Sequence, residues 1–157
     1  LGAPGERTCA CEKESTMINS RNIDDLHPHV ARLCKQFIEE CKKQHIDVII
    51  TSTYRDFASQ NALYAQGRTA PGPRVTNARG GKSWHNWRLA FDFCPVVNGK
   101  PQWKDLSVFK KCGEIGKKLG LEWAGDWKSF KEYAHLQWTG GLTLADLNAG
   151  KKPPSIA

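Results

Sequence analysis

No two cysteines stand in a C-x-x-C arrangement, no apolar stretch approaches the length of a membrane span, and methionine occurs once. The first absence removes the short redox and zinc-ribbon signatures. The second excludes a membrane-crossing helix. The N-terminal stretch LGAPGERTCACEKEST lacks the apolar centre of a secretory signal, so any export is expected to use another route. The single methionine, Met17, points to a natural start there, with residues 1–16 as upstream or non-native sequence. Internal repeats, a long basic block and a DNA- or RNA-reading motif are also missing, which leaves no specific nucleic-acid partner in view.

What is present describes one folded domain. A chain of 157 residues with 39% hydrophobic and 25% charged residues, six Trp, six Phe and three Tyr has ample material for a single core. We expect an N-terminal extension over 1–19, one domain over 20–150, a tail over 151–157, and a monomer. Lysine and arginine outnumber acidic residues, 23 to 16, giving a formal charge of +7 that favours polyanions: nucleic acid, anionic lipid or the acidic polymers of a bacterial envelope. The six cysteines (Cys9, Cys11, Cys34, Cys41, Cys94, Cys112) leave every full pairing open. Cys34 and Cys41 share one face of a helical pattern about two turns apart, too far to bond each other. Cys34, Cys41, Cys94 and Cys112 are expected to be free thiols packed as small apolar residues.

From Pro28 to Gln44, Val30, Leu33, Phe37, Ile38 and Cys41 recur at helical spacing. IDVIITSTY (46–54), rich in β-branched residues, reads as a central strand. Asp56 can cap a helix through FASQNALYAQ that Gly67 ends. GRTAPGPRVTNARGGK (67–82) reads as a long surface loop. LAFDFCPVVNGKPQW carries a hairpin signal at Asn98-Gly99. Asp105–Leu119 reads as a helix closed by Gly120, LEWAGDW and YAHLQW as two short strands, and Thr143–Asp146 as the cap of a short last helix.

The chemistry concentrates in two stretches. SWHNWRLAFDF (83–93) reads like a buried strand yet carries His85 and Asp92, seven positions apart. In a straight strand such residues face opposite ways, so the chain must turn through Asn86, Trp87 and Arg88 for them to meet. Alone, the pair is more commonly a structural hydrogen bond than a metal site. EYAH adds Glu132 and His135. Two imidazoles and two carboxylates are what a hydrolytic zinc centre requires: one Zn2+ held by His85, Asp92 and His135 with an open position for water, and Glu132 as the proton acceptor.

These motifs carry a resemblance. SWHNWRLAFD is similar to S-x-H-x-x-G-x-A-x-D, and EYAH to E-x-x-H, of the zinc-dependent peptidoglycan peptidases that include VanY-type D,D-carboxypeptidases and phage L-alanyl-D-glutamate endopeptidases. ITSTYRDFASQNALYAQGRTAPG resembles the segment in which that family has an arginine followed five residues later by glutamine, and LGLEWAGDWKSFKEYAHLQW resembles its C-terminal catalytic stretch. The resemblance covers roughly residues 20–150 and is nearest to the short endolysin-like and CwlK-like members. It implies an α+β fold of the hedgehog/D,D-peptidase type, a small antiparallel sheet flanked by helices. It also implies that His85, Asp92 and His135 hold zinc, that Glu132 is general base and acid, that Arg55 contacts a substrate carboxylate or the developing oxyanion, and that Gln60 and Ser83 help hold the peptide. An arginine suits that task because it stays charged and offers a planar fork of donors.

The implied activity is hydrolysis of the peptidoglycan stem peptide between L-alanine and D-glutamate by a phage or prophage lysin made in the bacterial cytoplasm and acting on the cell wall. The alternatives are trimming of terminal D-alanine by a D,D- or L,D-carboxypeptidase, a catalytically silent zinc domain that binds the wall, and a basic nucleic-acid binder resting on charge alone. One departure stands out: Arg88 occupies the family's glycine position, where positive φ would strain an arginine; its cation would either stand near the zinc and alter the site or point outward and add to the basic face. Ala134 and Leu136 also stand where relatives often have proline and phenylalanine, both as packing changes.

Overall fold

The computed structural model describes residues 17–155. The expectations for residues 1–16, including Cys9, Cys11 and a start at Met17, lie outside or at the edge of the described residues. Among the described residues there are four α-helices and one antiparallel sheet: α1 (Pro28–Lys43), β1 (Asp47–Ser52), α2 (Phe57–Ala65), β2 (Ala90–Val97), β3 (Lys100–Pro101), α3 (Leu106–Lys118), β4 (Glu122–Trp123), β5 (His135–Gln137) and α4 (Leu144–Asn148). The sheet runs β1-β2-β5-β4, with β3 pairing β2. This is the α+β arrangement expected.

Local chemistry accounts for most element ends. Pro28 opens α1 where no backbone donor is needed. Asp56 Oδ1 accepts from the Ser59 N–H at 2.8 Å to start α2, and Thr143 and Asp146 form a reciprocal capping box on α4. Asn98 and Gly99 both take positive φ, 54° and 76°, which the tight β2–β3 hairpin requires. Two stretches depart from their readings as strands: in SWHNW residues Trp84–Trp87 form a single 3-10 turn and the strand begins only at Ala90, and in LEWAGDW the strand ends at Trp123. Two further 3-10 turns, Ile23–Asp25 and Ala124–Asp126, carry no apolar periodicity that would announce them.

The core lies between α1, α3 and one face of the sheet. Phe37 of α1 meets Phe91 and Phe93 of β2 at ring distances of 5.7 and 5.0 Å, and Phe109 of α3 meets Phe93 at 5.6 Å. All four rings are buried. Because strand residues alternate, seating Phe91 and Phe93 inward turns Asp92 to the opposite face. Leu136, opposite Phe91 in register, is likewise inward, so His135 and Gln137 share the outward face with Asp92. Cys34, Cys41, Cys94 and Cys112 are buried free thiols, as expected. Burial pushes the Cys34 thiol up to about 12, which keeps it inert.

Helix α3 approaches the sheet closely because it has glycine at the contact. A Cβ on Gly113 would lie 2.3 Å from Trp123 Cδ2, and one on Gly116 would lie 2.7 Å from Leu136 Cδ2. Gly113→Ala is therefore expected to destabilise despite a helix-propensity gain of about 1 kcal/mol, since overpacking typically costs about 1–3 kcal/mol. Urea unfolding checks this: the midpoint should fall.

Candidate metal centre and its cleft

The 3-10 turn at Trp84–Trp87 is locked from both ends. Ser83 Oγ accepts from the His85 N–H at 3.3 Å, and Asn86 Oδ1 accepts from Ser83 N–H at 3.2 Å and from Gly81 N–H at 3.0 Å. Asn86 Nδ2 donates to the Arg55 carbonyl at 2.9 Å, tying the turn to the segment after β1. Arg88 then reverses the chain at φ 65°. The required turn between His85 and Asp92 is thus made of the three residues named for it, and it begins one residue before His85.

Arg88 does not face the metal centre. Its guanidinium donates to the Asp25 carbonyl at 2.7 Å and lies 3.8 Å above the Tyr54 ring. The left-handed conformation costs about 1–2 kcal/mol for a residue with a Cβ. The hydrogen bond and the cation–π contact, about 0.5–1 kcal/mol at an exposed site, offset that cost. Of the two orientations open to Arg88, beside the ligands or outward, the structure has the outward one, and the positive φ is as anticipated.

Asp92 and His135 stand directly across from each other in the β2–β5 ladder. Asp92 Oδ1 lies 3.1 Å from His85 Nε2 and 3.2 Å from His135 Nδ1. One ligand atom from each of the three residues falls within 4.8 Å of the others. Around a zinc ion with bonds of about 2.0–2.1 Å, tetrahedral ligands stand roughly 3.3 Å apart, so the two short separations match a shared ion. Both histidines are buried.

The outer ring nitrogens show what the inner ones carry. His85 Nδ1 is 2.8 Å from the Thr53 carbonyl oxygen, which can only accept, so that nitrogen bears a proton. His135 Nε2 is 2.8 Å from Gln137 Oε1, which likewise accepts. In the neutral imidazoles the remaining nitrogens are lone pairs, and both aim at the Asp92 carboxylate oxygen. Three electron-rich atoms facing one point repel unless positive charge lies among them, either a proton held between an imidazole and the carboxylate or a metal ion shared by all three. Burial alone would raise the Asp92 carboxyl, but the His85 charge and the hydrogen bonds of both imidazoles hold it well below the usual carboxylate range. Burial would lower His135, yet hydrogen bonding to Asp92, with the charges of Asp92 and Glu132, raises it overall. Both directions report the same demand for positive charge. The donor set of two imidazoles and a carboxylate, with both outer nitrogens already occupied, fits zinc.

These groups line a cleft of about 720 Å³ that also takes in Arg55, Ser83, Trp127, Phe130 and Glu132. Glu132 is half-buried on the approach to β5, outside the three-residue cluster, where its charge acts on both His135 and Arg55. Arg55 is nearly buried, with its Nη2 4.0 Å from Asp92 Oδ2 and 3.1 Å from Ser52 Oγ, and its Nε has no protein partner. Of the two residues expected to hold the peptide, Ser83 lines the cleft but Gln60 does not. Gln60 is fully buried behind Arg55, where Oε1 accepts from Arg55 Nη1 at 2.8 Å and Nε2 donates to the Ala78 carbonyl at 2.8 Å. Its reach ends on Arg55 and on the loop wall, so any help it gives in holding a peptide passes through Arg55 and the wall of the cleft. Two participants have no counterpart among the expected residues: the Thr53 carbonyl, which no side-chain pattern could reveal, and Gln137, whose position two residues after His135 on a strand was its only signal.

Comparison with known proteins follows from this geometry. The model of a family described as D-alanyl-D-alanine carboxypeptidase matches residues 76–138. The peptidoglycan L-alanyl-D-glutamate endopeptidase CwlK of Bacillus subtilis (strain 168) is 41% identical over 128 residues, covering 72% of this chain and 73% of that protein. Among solved structures, the L-Ala D-Glu endopeptidase ChiX of Serratia marcescens superposes with a TM-score of 0.59 at 19% identity, over 83% of this chain and 92% of that one. The D,D-pentapeptidase VanY of a VanB-type resistance cassette, crystallised as its E175A mutant with Zn(II), gives 0.57 at 14% identity, over 79% and 78%. At these identities the structural likenesses speak for the fold.

The support role of Gln60 is measurable. Gln60→Leu leaves Arg55 Nη1 and the Ala78 carbonyl unpaired in the interior, and should destabilise by about 1–3 kcal/mol. Urea unfolding reads the loss, and limited proteolysis should cut faster within residues 67–82, the loop that Gln60 anchors.

Proposed function

The chain belongs to the VanY/CwlK-like family of peptidoglycan peptidases, and on that premise we propose that it is a zinc metallopeptidase hydrolysing the stem-peptide bond between L-alanine and D-glutamate. The observation that carries the metal part is the convergence of two buried imidazole nitrogens on the Asp92 carboxylate oxygen, 3.1 and 3.2 Å away. What supports the bond is the 41% identity to an endopeptidase of that specificity across most of both chains.

In this reading His85, Asp92 and His135 hold one zinc ion. When bound, zinc supplies a Lewis acid that polarises the scissile carbonyl and makes water a better nucleophile at neutral pH. The protein's own groups do the rest. Glu132 is the carboxylate near the centre that no ligand role consumes; it accepts the proton of the attacking water and returns it to the departing amine of D-glutamate. Arg55, fixed by Gln60 and Ser52, sets a permanent cation where negative charge develops on the carbonyl oxygen or where a substrate carboxylate docks. Ser83 both caps the turn that carries His85 and faces the cleft. No serine or cysteine nucleophile is required, and the four thiols among the described residues are buried and do not line the cleft. For its setting we read a bacteriolytic enzyme of phage or prophage origin acting on the cell wall, where a formal charge of +7 favours approach to an anionic envelope.

Glu132→Ala should keep its zinc yet lose about 10²–10⁴-fold in cleavage of purified murein. His135→Ala should lose both. Mass spectrometry of the products identifies the bond: release of fragments beginning at D-glutamate supports the endopeptidase, while loss of single alanines would transfer the site to carboxypeptidase chemistry. Chelation should abolish cleavage and added zinc restore it. A Glu132→Ala protein that cleared murein at the wild-type rate would refute the mechanism.

A further inference from the structure

Gln137 is a buried amide in the middle of a sheet, 4% exposed, on a strand flanked by neighbours on both sides. An apolar residue there would satisfy packing at no polar cost, whereas an amide without a partner in such a place costs on the order of 1–3 kcal/mol. Its position is specific. It lies two residues after His135 and so on the same face of β5. Across the ladder it is paired with Ala90, the smallest side chain of β2, so the Gln137 amide meets little bulk there. Its Oε1 stands 2.8 Å from His135 Nε2.

We propose that Gln137 is a positioning residue of the metal centre: by accepting the Nε2 proton of His135 it fixes the tautomer that leaves the Nδ1 lone pair for the ion. This rests on the zinc reading of the site given above and deepens it. The two histidines are then held by unlike means to the same end. His85 is fixed through its Nδ1 by the main-chain carbonyl of Thr53 and presents Nε2; His135 is fixed through its Nε2 by a side chain and presents Nδ1. Only the second can be altered by substitution without moving the backbone. With the acceptor removed, His135 is free to place its proton on Nδ1, where it hydrogen-bonds Asp92 Oδ1 and blocks the ion's position. A glutamate at 137 would keep the acceptor and add charge, and so should hold the same tautomer more firmly.

The test is zinc affinity, read by competition with a chromophoric chelator on the full chain, together with the absorption spectrum of the cobalt-loaded protein and the thermal midpoint of the metal-free protein. Gln137→Leu should bind zinc about 10–100-fold more weakly, with a changed cobalt spectrum and a metal-free midpoint no lower than wild type. Gln137→Glu should restore wild-type affinity or exceed it. Equal zinc affinity in wild type and Gln137→Leu overturns the proposal and leaves the zinc reading standing. Should Gln137→Leu fail to fold, Gln137→Glu decides: an affinity below wild type overturns the assignment. Wild-type protein that takes up no zinc overturns both.

Discussion

A β-strand allows no choice about which way consecutive residues face, and that constraint on β2 governs the whole molecule. Once Phe91 and Phe93 are packed against Phe37 and Phe109, Asp92 has to emerge on the other side of the sheet. The same rule on β5 sends Leu136 inward and His135 outward, and the register of the two strands sets Asp92 and His135 face to face. A shift of one residue in that register would bury the carboxylate among aromatic rings and expose the phenylalanines. The hydrophobic core is therefore the jig that aligns two of the three candidate ligands.

The third ligand cannot come from the same strand, and the fold supplies it from a turn. Between Ile50 and Ser52 the pairing of β1 with β2 is irregular, so that Ser52 stands opposite Asp92 and Thr53 continues beyond. Bulges commonly re-aim backbone groups beside functional sites. Here the carbonyl of Thr53 meets His85 Nδ1, and the Ser83 and Asn86 caps hold the turn that delivers the ring. Arg55 follows immediately and is braced by Gln60, which reaches onward to Ala78 in the wall of the cleft. One short segment, 52–60, thus joins the sheet, the centre and the loop.

Much of this could be read in the residues because it depends on local spacing. The apolar period of α1 and α3, the Asn98-Gly99 hairpin, the Asp56 and Thr143 caps, and the need for a turn between His85 and Asp92 are all short-range facts. The pairing of His135 with Asp92 is long-range and became legible through the motif spacing that resembles a known family. What escaped has a common cause: it is decided by where a side chain ends. A glutamine that touches a ligand and one that lies behind an arginine look alike in a sequence, and only the fold shows that Gln60 bears on Arg55. A glycine position names a backbone requirement and leaves the direction of Arg88 open; that direction, over Tyr54, depends on a partner 34 residues earlier. The proton acceptors on the outer ring nitrogens, Thr53 and Gln137, were invisible because one is main chain and the other an ordinary strand residue.

Charge in the cleft closes the physical picture. Its lining sets Arg55 and Lys82 against Asp92 and Glu132, with the two imidazoles neutral when a metal is bound, so the protein's own groups cancel. A divalent ion would leave the cleft with a surplus of positive charge, inside walls that include Trp127 and Phe130 and keep the local dielectric low. With zinc held as proposed, that surplus would attract a substrate carboxylate into the cleft; without it, the lining charges balance. The +7 formal charge of the chain acts at longer range and is screened over about 8 Å at physiological ionic strength. The two effects are separable in kind: the formal charge of the chain acts on any polyanion at long range, whereas the local surplus that an ion between Asp92 and its two histidines would create acts only inside the cleft.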